Sequence, residues 1–163
     1  MPWLKRWWPA LLWAVAIWCF STGAFTSVNT ERVILPVLRW LFPRASHHML
    51  LLMYHYIRKG AHFTEYFILS LLLSRGIKAG QRGARVGWAL ATVVLVACYA
   101  SLDEFHQAFV PGRQAAVADV LLDISGGVVA QVVAGLFALR SSARETQWGS
   151  ISKSDPSDVA SFH

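Results

Sequence analysis

The sequence predicts an all-α protein: a polytopic membrane helix bundle of about four transmembrane helices, with an interfacial helix between the first two. Three observations predict it. Of the 163 residues, 55% are hydrophobic and only 15% charged, against roughly 45–50% and 25% in an ordinary soluble domain. The mean hydropathy is positive, +0.43. Several uncharged runs approach the ~20 residues needed to cross a bilayer, and short charged clusters separate them.

The first expected span is Trp7 to Phe25, uncharged and preceded by Lys5 and Arg6. A basic start, an apolar stretch and the small residues Thr22-Gly23-Ala24 also fit a cleavable signal peptide. The stretch is long for a signal core and further spans follow, which favours an uncleaved signal anchor. From Thr26 to His48, Glu31, Arg32, Arg39 and Arg44 interleave with Val33, Ile34, Leu35, Val37, Leu38, Trp40, Leu41 and Phe42. As a helix this segment has one apolar and one cationic face and suits the membrane interface, with Pro36 limiting its continuity. The alternative is an ordinary loop packed over helix ends.

The second expected span, Met49 to Ser74, passes through the cluster Arg58-Lys59-Gly60-Ala61-His62-Phe63-Thr64-Glu65-Tyr66. The third covers Val86 to Ala100, and the fourth runs from Val117 to Leu139 with Asp119 and Asp123 near its start. From Ser141 onward polar residues dominate without periodicity, so residues 1–140 form the expected transmembrane domain and 141–163 a disordered tail.

Lys and Arg residues beside the spans set orientation, because positive loops stay cytoplasmic. Lys5, Arg6, Arg75, Lys78, Arg82, Arg85, Arg140 and Arg144 fall on one side; Arg32, Arg39, Arg44, Arg58, Lys59 and Arg113 fall on the other. That bias places both termini in the cytoplasm, in a multi-pass protein of a bacterial inner membrane. The entry of span two, the exit of span three and the entry of span four then share the outer face. Topology also accounts for the net charge of +6. The cations sit in clusters between apolar runs, not along one basic face, which argues against nucleic acid.

A charge at mid-membrane costs roughly 2.5–3.5 kcal/mol on insertion scales, so charged clusters kept beside spans mark a functional site. On a helix Lys59, His62 and Tyr66 align, and Arg58, His62 and Glu65 form a second row through the same histidine. His62 can pair with Glu65 or with a carboxylate from another span; the plainer role of the cluster is a structural ion pair. In Asp103-Glu104-Phe105-His106-Gln107, either carboxylate can share a face with Gln107. Pro111-Gly112 signals a turn that aims Arg113, whose planar fork suits a carboxylate or phosphate, or which simply pairs with Asp119 or Glu104. Asp119 and Asp123 lie one turn apart, so a cation bridges them or one is protonated. Gly126, Gly127, Ala130, Ala134 and Gly135 give span four a small-residue face for close packing.

Cys19 and Cys98 lie in apolar runs without partners for a disulfide or metal, and no nucleotide loop, nucleophile elbow or zinc-protease motif occurs. No pair among the acidic and histidine residues has dedicated metal-ligand spacing, so neither a metal nor a cofactor is expected. The sequence leaves the oligomeric state open.

The motifs Lys59-x-x-His62-x-x-Glu65-Tyr66, Asp103-Glu104-x-x-Gln107-x-Phe109-x-Pro111-x-Arg113 and Asp119-x-x-x-Asp123-x-x-Gly126 resemble those of VanZ-like membrane proteins. The likeness covers about Trp7 to Leu139; the family often has Asn where Asp123 stands and Gly where Ala130 stands. It implies a small multi-helix membrane protein with an envelope-related role, in a family whose named member is associated with teicoplanin resistance. It supplies no biochemical activity.

The leading expectation is an outward-facing polar pocket for a polar, lipid-linked or glycan envelope molecule, with the bilayer as the other partner. Lys59, His62, Glu65, Gln107, Arg113 and Asp119 are the candidate binding residues. The alternative is a membrane enzyme acting on a lipid or glycan precursor by acid/base or metal-assisted chemistry, with His62, Glu65, Asp103 and Glu104 as candidate catalytic groups. In a third reading the clusters only lock the helices together.

Overall fold

The computed structural model describes residues 2–22, 27–79, 81, 85–110 and 116–151. The chain is all-α over these residues: α1 (Pro2–Ser21), α2 (Ser27–Leu41), α3 (His47–Lys78), α4 (Val86–Gln107) and α5 (Val117–Ile151). The central element is α3, which touches each of the other four helices, whereas α2 touches α3 alone.

Start and stop chemistry explains the bounds of α3. Ser46 sits in extended backbone and its hydroxyl accepts the Met49 N–H at 3.2 Å, satisfying one of the orphan donors of the first turn. At the other end Ala79 turns left-handed, with φ 52°, and donates its N–H to the Gly76 carbonyl at 3.3 Å. Between these ends α3 runs for 32 residues, about 48 Å at 1.5 Å per residue, somewhat beyond the expected span at both ends.

The other bounds differ from expectation in instructive ways. The expected third span ends at Ala100, but α4 continues through the acidic motif to Gln107, so Asp103, Glu104 and Gln107 share one rigid element. The segment α2 is helical straight through Pro36. An internal proline costs a helix about 3 kcal/mol; α2 is anchored on both sides of it, by a 3.1 Å hydrogen bond between Thr30 and Tyr54 hydroxyls and by Leu38 buried with Leu50 and Tyr54. The α5 helix runs to Ile151, past Ser141 where a polar tail was expected; residues 152–163 lie outside the described residues.

Among the described residues, two helices are long and apolar enough to cross a membrane: Val86–Gln107 and the Val117–Arg144 stretch of α5. The sequence led us to expect four. The difference is physical: α1 opens on Lys5 and Arg6, and α3 carries Arg58, Lys59, His62 and Glu65 at its middle.

Packing is polar at the centre and apolar outside. Ser70, Thr92, Asp103, Gln107 and Asp123 are buried, while Leu12, Val15, Leu90, Val94, Val132 and Phe137 are exposed. Ile17, Tyr66, Leu69, Val96 and Ala100 form the apolar core shared by α1, α3 and α4. The α3–α5 contact is closest of all: a Cβ on Gly126 would run into the Phe63 carbonyl oxygen, and one on Gly127 would stand 2.8 Å from Val96. Ser70 donates to the Gly127 carbonyl at 2.9 Å, and Gln131 donates to Ser70 Oγ at 2.8 Å. The small-residue face therefore packs at Gly126, Gly127 and Ala130, whereas nothing approaches Gly135.

Candidate functional site

Two helical rows meet between α3 and α5, which run in the same direction. Lys59 Nζ lies 2.8 Å from Asp119 Oδ1, with both side chains about one-third exposed (35% and 36%). One turn further, His62 Nδ1 faces Asp123 Oδ1 at 3.7 Å, an electrostatic contact longer than a hydrogen bond. Of the two partners left open for His62, the structure sets Asp123 opposite it. The neighbouring acids Asp119 and Asp123 thus face different partners, a lysine and a histidine.

The end of α4 supplies the second group. Gln107 Nε2 donates to Asp103 Oδ2 at 2.8 Å, as four-residue spacing allows. Glu104 turns the other way: its Oε1 accepts the Ala116 N–H at 2.6 Å. That N–H lies immediately before α5, so Glu104 binds an orphan donor at a helix start and ties the end of α4 to the beginning of α5. Pro111, Gly112 and Arg113 lie outside the described residues.

Aromatic donors lock α1 onto this end of the bundle through backbone carbonyls. The Trp13 indole donates to the Glu65 carbonyl at 2.9 Å, and the Tyr99 hydroxyl to the Ala14 carbonyl at 2.6 Å. Trp18 stacks on His106 with ring centroids 4.1 Å apart. Carbonyls in mid-helix keep a spare lone pair, so these bonds leave the helical ladders intact.

The locked helices enclose a cavity of about 230 Å³ lined by residues of α1, α2, α3 and α4. Arg58, His62 and Glu65 come from α3, Asp103 and Gln107 from α4, Ser21 from α1 and Thr30 from α2. Lys59 and Asp119 instead border a smaller cleft of about 60 Å³ on the α5 side, with His62 between the two. Asp103 and Asp123 are each 1% exposed, and Asp103 Oδ1, Asp123 Oδ1 and the Tyr66 hydroxyl have no hydrogen-bond partner among the described residues. Buried acceptors in that condition are costly. Arg58 lies over the Tyr54 ring, 5.9 Å from its centroid.

Of the pocket residues expected from the sequence, His62, Glu65, Asp103 and Gln107 line one cavity, whereas Lys59 and Asp119 border the smaller cleft, Glu104 turns to Ala116 and Arg113 lies outside the described residues. Sequence reasoning missed Ser21 and Thr30, since a serine closing an apolar run looks like any other. It undervalued Asp123, whose position one turn beyond Asp119 was the available signal. Among the described residues no group of three or more His, Cys, Asp or Glu side chains is placed to hold a metal ion.

Residues 7–138, which include all three motifs, match the model of the VanZ/LLP1 family. The chain belongs to the VanZ/LLP1 family. The VanZ/LLP1 match begins at Trp7 and reaches Ala138 in α5, so it spans the cavity and every paired residue described above. No curated protein and no solved structure matches the chain.

Proposed function

We propose that this protein is embedded in the bacterial cytoplasmic membrane and that its cavity recognises a polar or lipid-linked molecule of the cell envelope. The observation that carries this reading is the cavity of about 230 Å³ whose wall combines Arg58 and His62 with Glu65, Asp103 and Gln107, inside a molecule with apolar side chains turned outward. In water that surface would be a liability; in lipid it is the expected exterior. Charged side chains in such a setting face the interior and mark ligand paths.

In this reading α1, α3, α4 and α5 all cross, with the ends of α1 and α4 and the start of α5 on the outer side. Both termini are cytoplasmic, as the Lys and Arg bias favours. The charged centre of α3 is half-buried among its neighbours. Family membership supports an envelope role, and a contribution to glycopeptide resistance is one form that role can take.

The experiment is native mass spectrometry of the protein released from membranes, comparing wild type with Ala61→Phe, which fills the cavity from its lining. A specific lipid or glycan precursor retained by wild type and lost from a folded Ala61→Phe variant is the expected result. Equal retention by both would place binding elsewhere.

One observation favours a second reading, that of a membrane enzyme. A histidine between a carboxylate and a cavity is the arrangement in which a general base is oriented by an acid, and His62 has Asp123 on one side and the cavity on the other. Turnover of a lipid or glycan precursor with a bell-shaped pH profile, abolished by His62→Gln, would select it.

A further inference from the structure

The cavity wall combines two carboxyl side chains with a guanidinium. Glu65 and Asp103 are carboxylates, and Gln107 gives one amide N–H to Asp103 Oδ2, which leaves its second N–H and its carbonyl oxygen. Asp103 Oδ1 has no hydrogen-bond partner among the described residues, nor has Ser21 Oγ on the facing helix, 2% exposed. Behind this wall Asp123 Oδ1 and the Tyr66 hydroxyl are in the same condition, with Tyr66 fully buried. On the α3 side stands a guanidinium, Arg58, which makes no ion pair among the described residues and rests on the Tyr54 ring. Ile17 and Phe20 give the cavity an apolar margin.

A group seated among these atoms must donate hydrogen bonds to the carboxylate end and carry an anion toward Arg58. We propose that the cavity holds the aminoalkyl phosphate head of a lipid, with its primary ammonium against Asp103, Ser21 and Glu65 and its phosphate on Arg58. The assignment rests on the envelope-ligand reading above and names the class of ligand. A primary ammonium brings three donors and a positive charge to the carboxylate end. A quaternary ammonium brings charge without donors, and a glycerol head brings donors without charge. The guanidinium fork suits phosphate.

The test uses the full-length chain in mixed micelles of equal phosphatidylethanolamine, phosphatidylcholine and phosphatidylglycerol, read by native mass spectrometry. Wild type should retain phosphatidylethanolamine over each of the others by about tenfold or more, the scale on which a site punishes a missing donor. Excess free O-phosphoethanolamine should displace it, which shows that the head and not the acyl chain is read. Ser21→Ala should narrow the preference over phosphatidylcholine, and Arg58→Gln should weaken all phosphate-bearing heads. Both substitutions spare the buried carboxylates, and thermal unfolding in detergent checks that each variant is folded before its lipids are compared. Retention of phosphatidylcholine equal to phosphatidylethanolamine, or a preference for phosphatidylglycerol, would overturn the ammonium assignment while leaving a lipid-binding cavity. Retention of none of the three lipids overturns it as well. If wild type also carries nothing from native membranes, the envelope-ligand reading falls with it.

Discussion

Lys59 and His62 sit one turn apart on α3 and make ion pairs of very different worth. The Lys59–Asp119 pair is about one-third exposed on both sides, and pairs in that condition contribute roughly 0–1 kcal/mol. Lys59→Ala should therefore leave the melting temperature in detergent within a few degrees of wild type. His62 faces Asp123, whose side chain is 2% exposed, so His62→Ala removes the polar group opposite a buried acid. Leaving a buried polar group without a partner costs about 1–3 kcal/mol, and His62→Ala should lower the melting temperature more than Lys59→Ala. Asp123→Asn, which removes the charge and keeps the shape, should fall between them. Equal melting temperatures for the two α3 variants would show that Asp123 does not depend on His62. At this scale the sequence was informative where spacing alone decides: His62 and Glu65 share a face because helices repeat every 3.6 residues. It was silent on which carboxylate of another helix would meet His62, because that depends on how far α5 slides along α3.

At the scale of elements, α5 is seated by backbone proximity. A Cβ on Gly126 meets the Phe63 carbonyl oxygen, whereas at Gly135 nothing lies within 4 Å. Gly126→Ala must push α3 and α5 apart and should cost about 1–3 kcal/mol, the range for overpacking. Gly135→Ala should be neutral or gain up to about 1 kcal/mol, since alanine is the better helix former. Thermal unfolding of the two variants side by side checks both signs. The sequence marked the small residues together and could not separate them: Gly126 and Gly135 look alike until a neighbouring backbone is placed. The long uncharged runs of α1, α4 and α5 were legible because length and composition alone define them. The extent of α4 was not, since Asp103, Glu104 and Gln107 are poor company for a span and are held helical by tertiary partners, Ala116 among them. Pro36 misled for a related reason, since its local cost is outweighed by contacts with α3.

For the whole molecule, the polar interior and apolar exterior bear on orientation. With Cys19 and Cys98 replaced, both being exposed free thiols, a membrane-impermeant maleimide on intact cells should label a cysteine at Phe109 and miss one at Gln81. The two positions lie beyond opposite ends of α4. The reverse pattern would turn the cavity toward the cytoplasm. The ladder of contacts along α3 and α5 has one more consequence. Lys59 meets Asp119, His62 meets Asp123, Phe63 meets Gly126 and Ser70 meets Gly127, so both helices advance together and the pairs act as teeth on two racks. If α5 slipped by one turn, ~5.4 Å, one aspartate would lose its partner while the other moved onto the neighbouring one, and a residue with a side chain would press on the Phe63 carbonyl. Alignment is thus encoded redundantly, by attraction at the charged pairs and by exclusion at the glycine. Exchanging Lys59 and Asp119 between the helices should preserve assembly, whereas reversing either alone should reduce the amount of folded protein in the membrane. A chain built this way proofreads its own register, because no displaced arrangement satisfies more than one of the two conditions.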